Sequence, residues 1–173
     1  IQSSQAWNYS SATRPVFTNN GVIRKTSAIG GTTINWTLDN AAGSQVDIQS
    51  GSLSVAGGGT SSGATFKTSS STVLTFSAPY TFNAADTFTA NGMVNFNAGN
   101  ANIGSMTGTG GVSVGTGSTV SANQVTLSTL TVNGAASNRT AKFTLNSSGT
   151  GPAGANSAVS HVSSLTLAND GAT

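Results

Sequence analysis

"NAAGSQVDIQSGSLSVAGGG", residues 40–59, places Val46, Ile48, Leu53 and Val55 at alternate positions of two short runs. The runs, "QVDIQ" (45–49) and "SLSVA" (52–56), are separated by "SG" and bounded by "AAG" (41–43) and "GGG" (57–59). Period-two alternation with β-branched residues, closed by glycine turns, marks strands that bury one face. Two further blocks read the same way: "NNGVIRKTSAIGGTTINWTL" (19–38) and "ANGMVNFNAGNANIGSMTGTGG" (90–111). Each runs turn, strand, glycine turn, strand, and a repeat of about 20 residues is the length of one coil of a β-helix.

The pattern extends along the chain. "ATFKT" (64–68), "TVLTFS" (72–77), "DTFTA" (86–90), "GVSVG" (111–115), "TLSTLTVN" (126–133), "AKFTLN" (141–146) and "SSLTLA" (163–168) are further strand candidates. Turn punctuation falls about every 8 to 12 residues, and no stretch of a dozen carries helical periodicity. A sandwich and a barrel share this spacing, but the short strands and modest inward side chains favour coils stacked on a narrow core. The expected fold is all-β: a single right-handed parallel β-helix, or β-solenoid, over residues 1–173. Phe66, Phe76, Phe82, Phe88, Phe96 and Trp36 are its core-stacking residues. Asn, Ser and Thr beside the turns suit polar ladders running along the axis.

Composition agrees with a stacked fold. Charged residues are 6% of the chain, against about 25% in ordinary globular proteins. Stacking sets equivalent residues only about 4.8 Å apart, where like charges repel. Hydrophobic residues reach 36% and prolines number 3, which separates the chain from disordered segments. The basic residues Arg14, Arg24, Lys25, Lys67, Arg139 and Lys142 are scattered and the formal net charge is +2. No clustered phosphate-binding surface is formed, so nucleic acid is not an expected partner. Cysteine is absent, and no apolar run reaches the roughly 18 residues of a membrane-spanning helix. The start at Ile1 reads as a mature or excised piece. Residues 146–164, "NSSGTGPAGANSAVSHVSS", read as an insertion between coils or a linker. The chain stops on an open strand and turn, which predicts more protein beyond Thr173 or an identical subunit docked there.

The residues offer little for catalysis. The chain has no Glu, and its acids are Asp39, Asp47, Asp86 and Asp170. A glycan-cleaving pair needs two carboxylates about 5 to 10 Å apart, and Asp39 with Asp47, on adjacent strands, is the one pair placed to approach. His161 is the only histidine and reads as a solvated loop residue with no nucleophile motif beside it. One His, four acids and no Cys make no transition-metal cluster. "NDG" (169–171) lacks the repeat pattern of calcium-binding solenoids. No cofactor is expected.

Thr alternates outward in "TTINWT" and "TFTA", but Ser, Asn, Lys and Gln interrupt it, so a flat ice-binding ladder is not predicted. Trp7, Tyr9, Trp36 and Tyr80 do not cluster as a sugar-stacking platform. Trp36 alternates with Ile34 and Leu38 and is expected inside. Trp7 and Tyr9 are placed to cover the end of the stack or meet a partner. The sequons at Asn8, Asn35, Asn138 and Asn146 carry little weight in so Asn-, Ser- and Thr-rich a chain.

The stretch "FTNNGVIRKTSAIGGTTINWTLDNAAGSQVDIQSGSLSVAGGG" (17–59), with "GTGGVSVGTGSTVSANQVTLSTLTVNG" (108–134), resembles the repetitive passenger or stalk regions of large bacterial surface proteins. These are autotransporter-like and haemagglutinin-like adhesins and envelope-sorted repeat proteins. The resemblance implies an exported, extracellular or cell-surface stalk, fibre or adhesive segment without catalysis. Its partners would be adjacent coils of a longer chain, identical subunits end to end, or surface glycans and neighbouring cells. A carbohydrate-binding or ice-binding solenoid is the alternative, and a β-helix polysaccharide-cleaving enzyme the third reading.

Overall fold

A computed structural model describes residues 1–27, 29–134, 141–146 and 161–169. The strands among them are β1 (Val16–Asn19), β2 (Val22–Lys25), β3 (Gly31–Ile34), β4 (Thr37–Asn40), β5 (Gln45–Ile48) and β6 (Ser52–Val55). They continue as β7 (Gly59–Ser61), β8 (Thr65–Thr68), β9 (Val73–Phe76), β10 (Tyr80–Thr81), β11 (Thr87–Ala90) and β12 (Met93–Phe96). The last are β13 (Gly99–Thr107), β14 (Gly111–Val114), β15 (Ser118–Gly134), β16 (Lys142–Leu145) and β17 (His161–Asn169). No helix occurs among the described residues, and every strand pairing is parallel. The chain is a β-solenoid of about 6 turns, its coils about 21 residues apart.

Each coil has three faces rather than the two strands that the sequence pattern marks. β1, β4, β7 and β10 form the first face. The second begins β2, β5, β8, β11, and the third runs β3, β6, β9, β12, β14. The first face escapes sequence reading because its strands are short and rich in Gly, Thr, Ser and Asn. Gly59, read as part of a turn, is the first residue of β7 and has φ of 139°. A Cβ on Gly59 would lie 1.9 Å from the Leu38 carbonyl oxygen, so only glycine lets β7 close on β4.

The coils tighten along the axis. Thr65 pairs with Thr87, whereas further on Met93 pairs with Gly111 and Gly111 with Thr129, both shorter steps in sequence than the first. With fewer residues at the corners, β13 bends through one without a break. β15, 17 residues long, runs along all three faces and pairs with β13, β14, β16 and β17.

Of the expected excursion at 146–164, residues 147–160 lie outside the described residues. His161–Ser164, the end of that stretch, belong to β17. Val120 pairs with Phe143, a step of ordinary length, but Leu130 pairs with Leu165, a much longer one. The extra residues therefore fall within the last coil, between β16 and β17.

In-register pairing stacks each inward residue on its equivalent. One column runs Ile23, Val46, Phe66, Phe88, Met106, Val125. Another runs Ile34, Val55, Phe76, Phe96, Val114, Val132, Leu167. The aromatic rings concentrate where these columns meet. Phe66 stacks on Phe88 with centroids 4.6 Å apart and planes at 12°, and Phe76 on Phe96 at 5.5 Å and 9°. Phe82 fills the space between the stacks, edge-on to Phe66, Phe76, Phe88 and Phe96 at 4.9–5.7 Å. All five phenylalanines are buried. Offset and edge-on rings each contribute about 0.5–1.5 kcal/mol beyond burial.

Phe76 contacts Phe66, Tyr80, Phe82, Phe88 and Phe96. Phe76→Ala is expected to destabilise the fold by about 3–5 kcal/mol. Phe143→Ala, at a partly buried position of the last coil, is expected to cost less than about 2 kcal/mol. Urea unfolding followed by circular dichroism measures both.

Candidate functional site

The described carboxylates are dispersed and each is engaged in holding coils together. Asp39, on β4, accepts hydrogen bonds from the backbone N–H and hydroxyl of Thr60 at 3.0 and 2.9 Å. Asp47, on β5, pairs with Arg24 Nε at 2.8 Å and accepts from Gln49 Nε2 at 2.7 Å. β4 and β5 succeed each other in the chain but lie in different sheets and pair with different strands. Asp39 and Asp47 thus stand on consecutive strands, as expected, but on opposite sides of a corner and in different sheets.

Asp86 is buried, and its Oδ1 accepts from Ser61 Oγ, Gly63 N and Ala64 N at 2.6–2.8 Å. Its Oδ2 accepts from Asn83 N at 2.7 Å, closing the turn that precedes it. The carboxylate thereby binds the corner of one coil to that of the coil before, with charge-assisted bonds each stronger than a neutral one. "NAAD" (83–86) is a turn signal in the sequence, but nothing local shows that the acid points inward.

Beside it runs a buried amide ladder. Asn19 Nδ2 donates to Asn40 Oδ1 at 2.8 Å, Asn40 Nδ2 to the Tyr80 hydroxyl at 2.7 Å, and Tyr80 to the Thr60 carbonyl at 2.7 Å. Shorter ladders run outside: Asn95 to Thr75, Asn133 to Ser113, Thr87 to Thr65. Burial pushes the Tyr80 phenol well above its ordinary range; the hydrogen bond from Asn40 opposes this, and the nearby Asp86 and Asp39 charges add to it.

His161 opens β17 rather than lying in a loop; it is exposed, with Nε2 3.4 Å from Ser163 Oγ. Among the described residues no three His, Asp or Glu side chains gather as metal ligands. Asp170, the "NDG" turn beyond Asn169 and the sequon at Asn138 lie outside the described residues.

The early aromatics form a cover over the first coil. Trp7 bridges to Ile34 in parallel, its N–H donating to the Thr33 carbonyl at 2.7 Å. Its ring packs edge-on to Phe17 at 5.7 Å and against Trp36 at 5.8 Å. Trp36 is only partly buried, with Nε1 donating to the Asn8 carbonyl at 3.0 Å. It does not join the phenylalanine stacks: the chain turns between β3 and β4, so alternation counted through Ile34, Trp36 and Leu38 breaks at the corner. Tyr9 is exposed and its hydroxyl meets Arg14 Nε at 3.3 Å. Beneath the cover, Lys25 is buried and its ammonium donates to the Ser27 and Ser3 carbonyls at 3.1 and 3.4 Å.

One concavity among the described residues is an open groove of about 360 Å³ across the corners between the second and third faces. Ser71, Asn91, Met93, Thr109, Ser128 and Thr129 line it. Hydroxyls, one amide and a thioether offer weak hydrogen bonding and no charge, which suits a neutral polar molecule.

Comparison with protein-family models, with curated proteins and with solved structures gave no match.

The Tyr80 shift has a definite sign. The folded state favours the neutral phenol, so its contribution is complete below the ordinary value of about 10 and is lost as pH rises above it. Tyr80→Phe is expected to destabilise the protein by about 1–3 kcal/mol at neutral pH, because Asn40 and Thr60 lose their partner. The same substitution should flatten the fall in stability above about pH 10. Thermal unfolding across pH 7 to 11, compared with the parent, checks both effects.

Proposed function

We propose that this chain is a non-catalytic structural segment, a stalk or spacer, of an extracellular bacterial surface or fibre assembly. The observation that carries the reading is the third-face ladder. From Gly31 through Ser52, Val73, Met93, Gly111 and Thr129 to Ser164, one register is kept without interruption. Such an element holds a fixed length: its backbone bonds run along the axis, its rings stack inside, and its polar atoms bind one another. A chain with 6% charged residues also makes shape and stability nearly independent of ionic strength, since few exposed charges exist to be screened. The surface-protein passengers that the sequence resembles have the same style of coil, and that likeness supports export.

The groove between the second and third faces supports a second reading, the binding of a neutral glycan. The structure gives the ice-binding form of this alternative no support. Within the paired strands Thr-x-Thr occurs at Thr87 and Thr89 on one face and at Thr129 and Thr131 on another, so it does not recur coil upon coil.

Surface labelling of intact source cells with an antibody against the folded chain tests the proposal. Labelling that is removed by external protease is the expected result, with no turnover of neutral or acidic polysaccharides by the purified chain. Antigen confined to the cytosolic fraction, or polysaccharide cleavage, contradicts it. Retention on a neutral glycan array, lost in Asn91→Ala, would favour the second reading.

A further inference from the structure

Three Asn-Gly steps occur in the chain: Asn20–Gly21, Asn91–Gly92 and Asn133–Gly134. Such a step carries a reaction of its own. The amide nitrogen that follows an asparagine attacks the side-chain carbonyl carbon, and glycine, with no Cβ, hinders that approach least. Whether the reaction proceeds depends on how firmly the fold holds the two partners.

Two of the steps are held. Asn91 Oδ1 accepts from the backbone N–H and hydroxyl of Thr109 at 3.2 and 3.4 Å, and Gly92 N donates to Thr68 Oγ1 at 3.1 Å. A Cβ on the buried Gly92 would lie 2.3 Å from the Thr72 carbonyl oxygen, so close packing accounts for this glycine. Asn133 Nδ2 donates to Ser113 Oγ at 3.0 Å, and Gly134 pairs with Asn169 in the ladder between β15 and β17.

Asn20 differs. It is exposed at the corner between β1 and β2, and its side chain makes no hydrogen bond among the described residues. Gly21 N donates to Asn19 Oδ1 at 3.1 Å. A Cβ on Gly21 would meet nothing within 4 Å, and its φ lies outside the left-handed region, so neither space nor conformation calls for glycine there. The exposure belongs to the corner and not to the start of the chain. Ala42, Ser62 and Ala84, at the same corner of the next three coils, are exposed too.

We propose that Asn20 is a site of spontaneous covalent modification, deamidating through a cyclic imide while Asn91 and Asn133 are protected, and that the product loosens the corner it occupies. The Gly21 nitrogen gives up its proton to water and bonds to Asn20 Cγ. The bond from Cγ to Nδ2 breaks, and the side-chain nitrogen leaves as ammonia, its added proton supplied by water. A water molecule then splits the imide. Opening at Cγ gives aspartate, and opening at the main-chain carbonyl gives isoaspartate, with an extra methylene in the backbone. In sum, asparagine and water become an aspartate or isoaspartate and ammonia, with no oxidant or cofactor.

The corner is poorly placed to absorb the change. The Gly21 carbonyl accepts from Gln45 N at 2.8 Å, and Asn19 Nδ2 donates to Asn40 Oδ1 and to the Gln45 carbonyl at 2.8 and 3.2 Å. A longer backbone just before Gly21 pulls on these bonds at the head of the buried amide ladder. The new carboxylate also removes one unit from a formal net charge of +2. The site rests on local geometry alone and stands apart from where in the cell the protein works.

Peptide mapping by mass spectrometry, during incubation of the folded chain at mildly alkaline pH with the urea-unfolded chain as reference, tests the proposal. Folding is expected to slow Asn91 about tenfold or more, because two hydrogen bonds must open first, and to slow Asn20 far less. Asn133 should be protected like Asn91. Gly21→Ala, which the open corner accommodates, should keep the circular dichroism and thermal unfolding of the parent and suppress the reaction at Asn20. Isolated deamidated chain should exchange the Gln45 amide hydrogen faster than the parent, with the mid-stack Gly110 amide, which donates to the Ala90 carbonyl, unchanged. Protection of Asn20 equal to that of Asn91, an undiminished reaction in Gly21→Ala, or an unaltered Gln45 amide in the deamidated chain overturns the proposal.

Discussion

In-register parallel pairing is the constraint from which the rest of this structure follows. It sets each residue on its equivalent one coil away, at the strand spacing of about 4.8 Å. A side chain that suits the position in one coil must therefore suit contact with near copies of itself. Apolar residues and flat rings do so readily, as Phe66 on Phe88 and Phe76 on Phe96 show. Amides and hydroxyls do so by exchanging donor and acceptor, as in the Asn19, Asn40 and Tyr80 series. Like charges do not, and the low charge content answers that restriction. Arg24 on Asp47 is the case in which a charged column works, because its neighbours have opposite sign.

The same constraint decides what can be read from the sequence. Alternation within the strand runs is visible, and with it the all-β class, the approximate coil length and the inward placing of Phe66, Phe76, Phe82, Phe88 and Phe96. The local runs conceal how the rings meet. Phe82, Phe88 and Phe96 lie close in sequence and touch edge-on, while each face-to-face stack joins residues one coil apart. The first face is hidden because its short runs of Gly, Thr and Asn carry no alternation signal, and β7 depends on a glycine that reads as a turn. Trp36 departs from its expected place because a corner resets the inward and outward alternation. The role of Asp86 is hidden because its donors come from Ser61, Gly63 and Ala64, a coil away.

Function follows from what the buried groups are spent on. Asp39, Asp47 and Asp86 hold coils together, and the phenylalanines hold the cross-section, so the described residues assemble no reactive pair. What varies along the axis is the closure of the ends. A cover with a buried ammonium and two packed indoles lies over the first coil, whereas Leu145, Leu165 and Leu167 of the last described strands are exposed.

Distances between spin labels along one outward column test the stacked, in-register architecture most directly. Thr33, Ser54, Thr75, Asn95, Ser113, Thr131 and Thr166 follow one another on the third face. The absence of cysteine makes paired labelling clean. With one label at Thr33 and the other at Ser113, Thr131 or Thr166, backbone separations of about 19, 24 and 29 Å are predicted, a step of about 4.8 Å per coil. Distances that fail to rise by one strand spacing at each step would contradict the solenoid, and with it the columns on which the account of core and polar ladders depends.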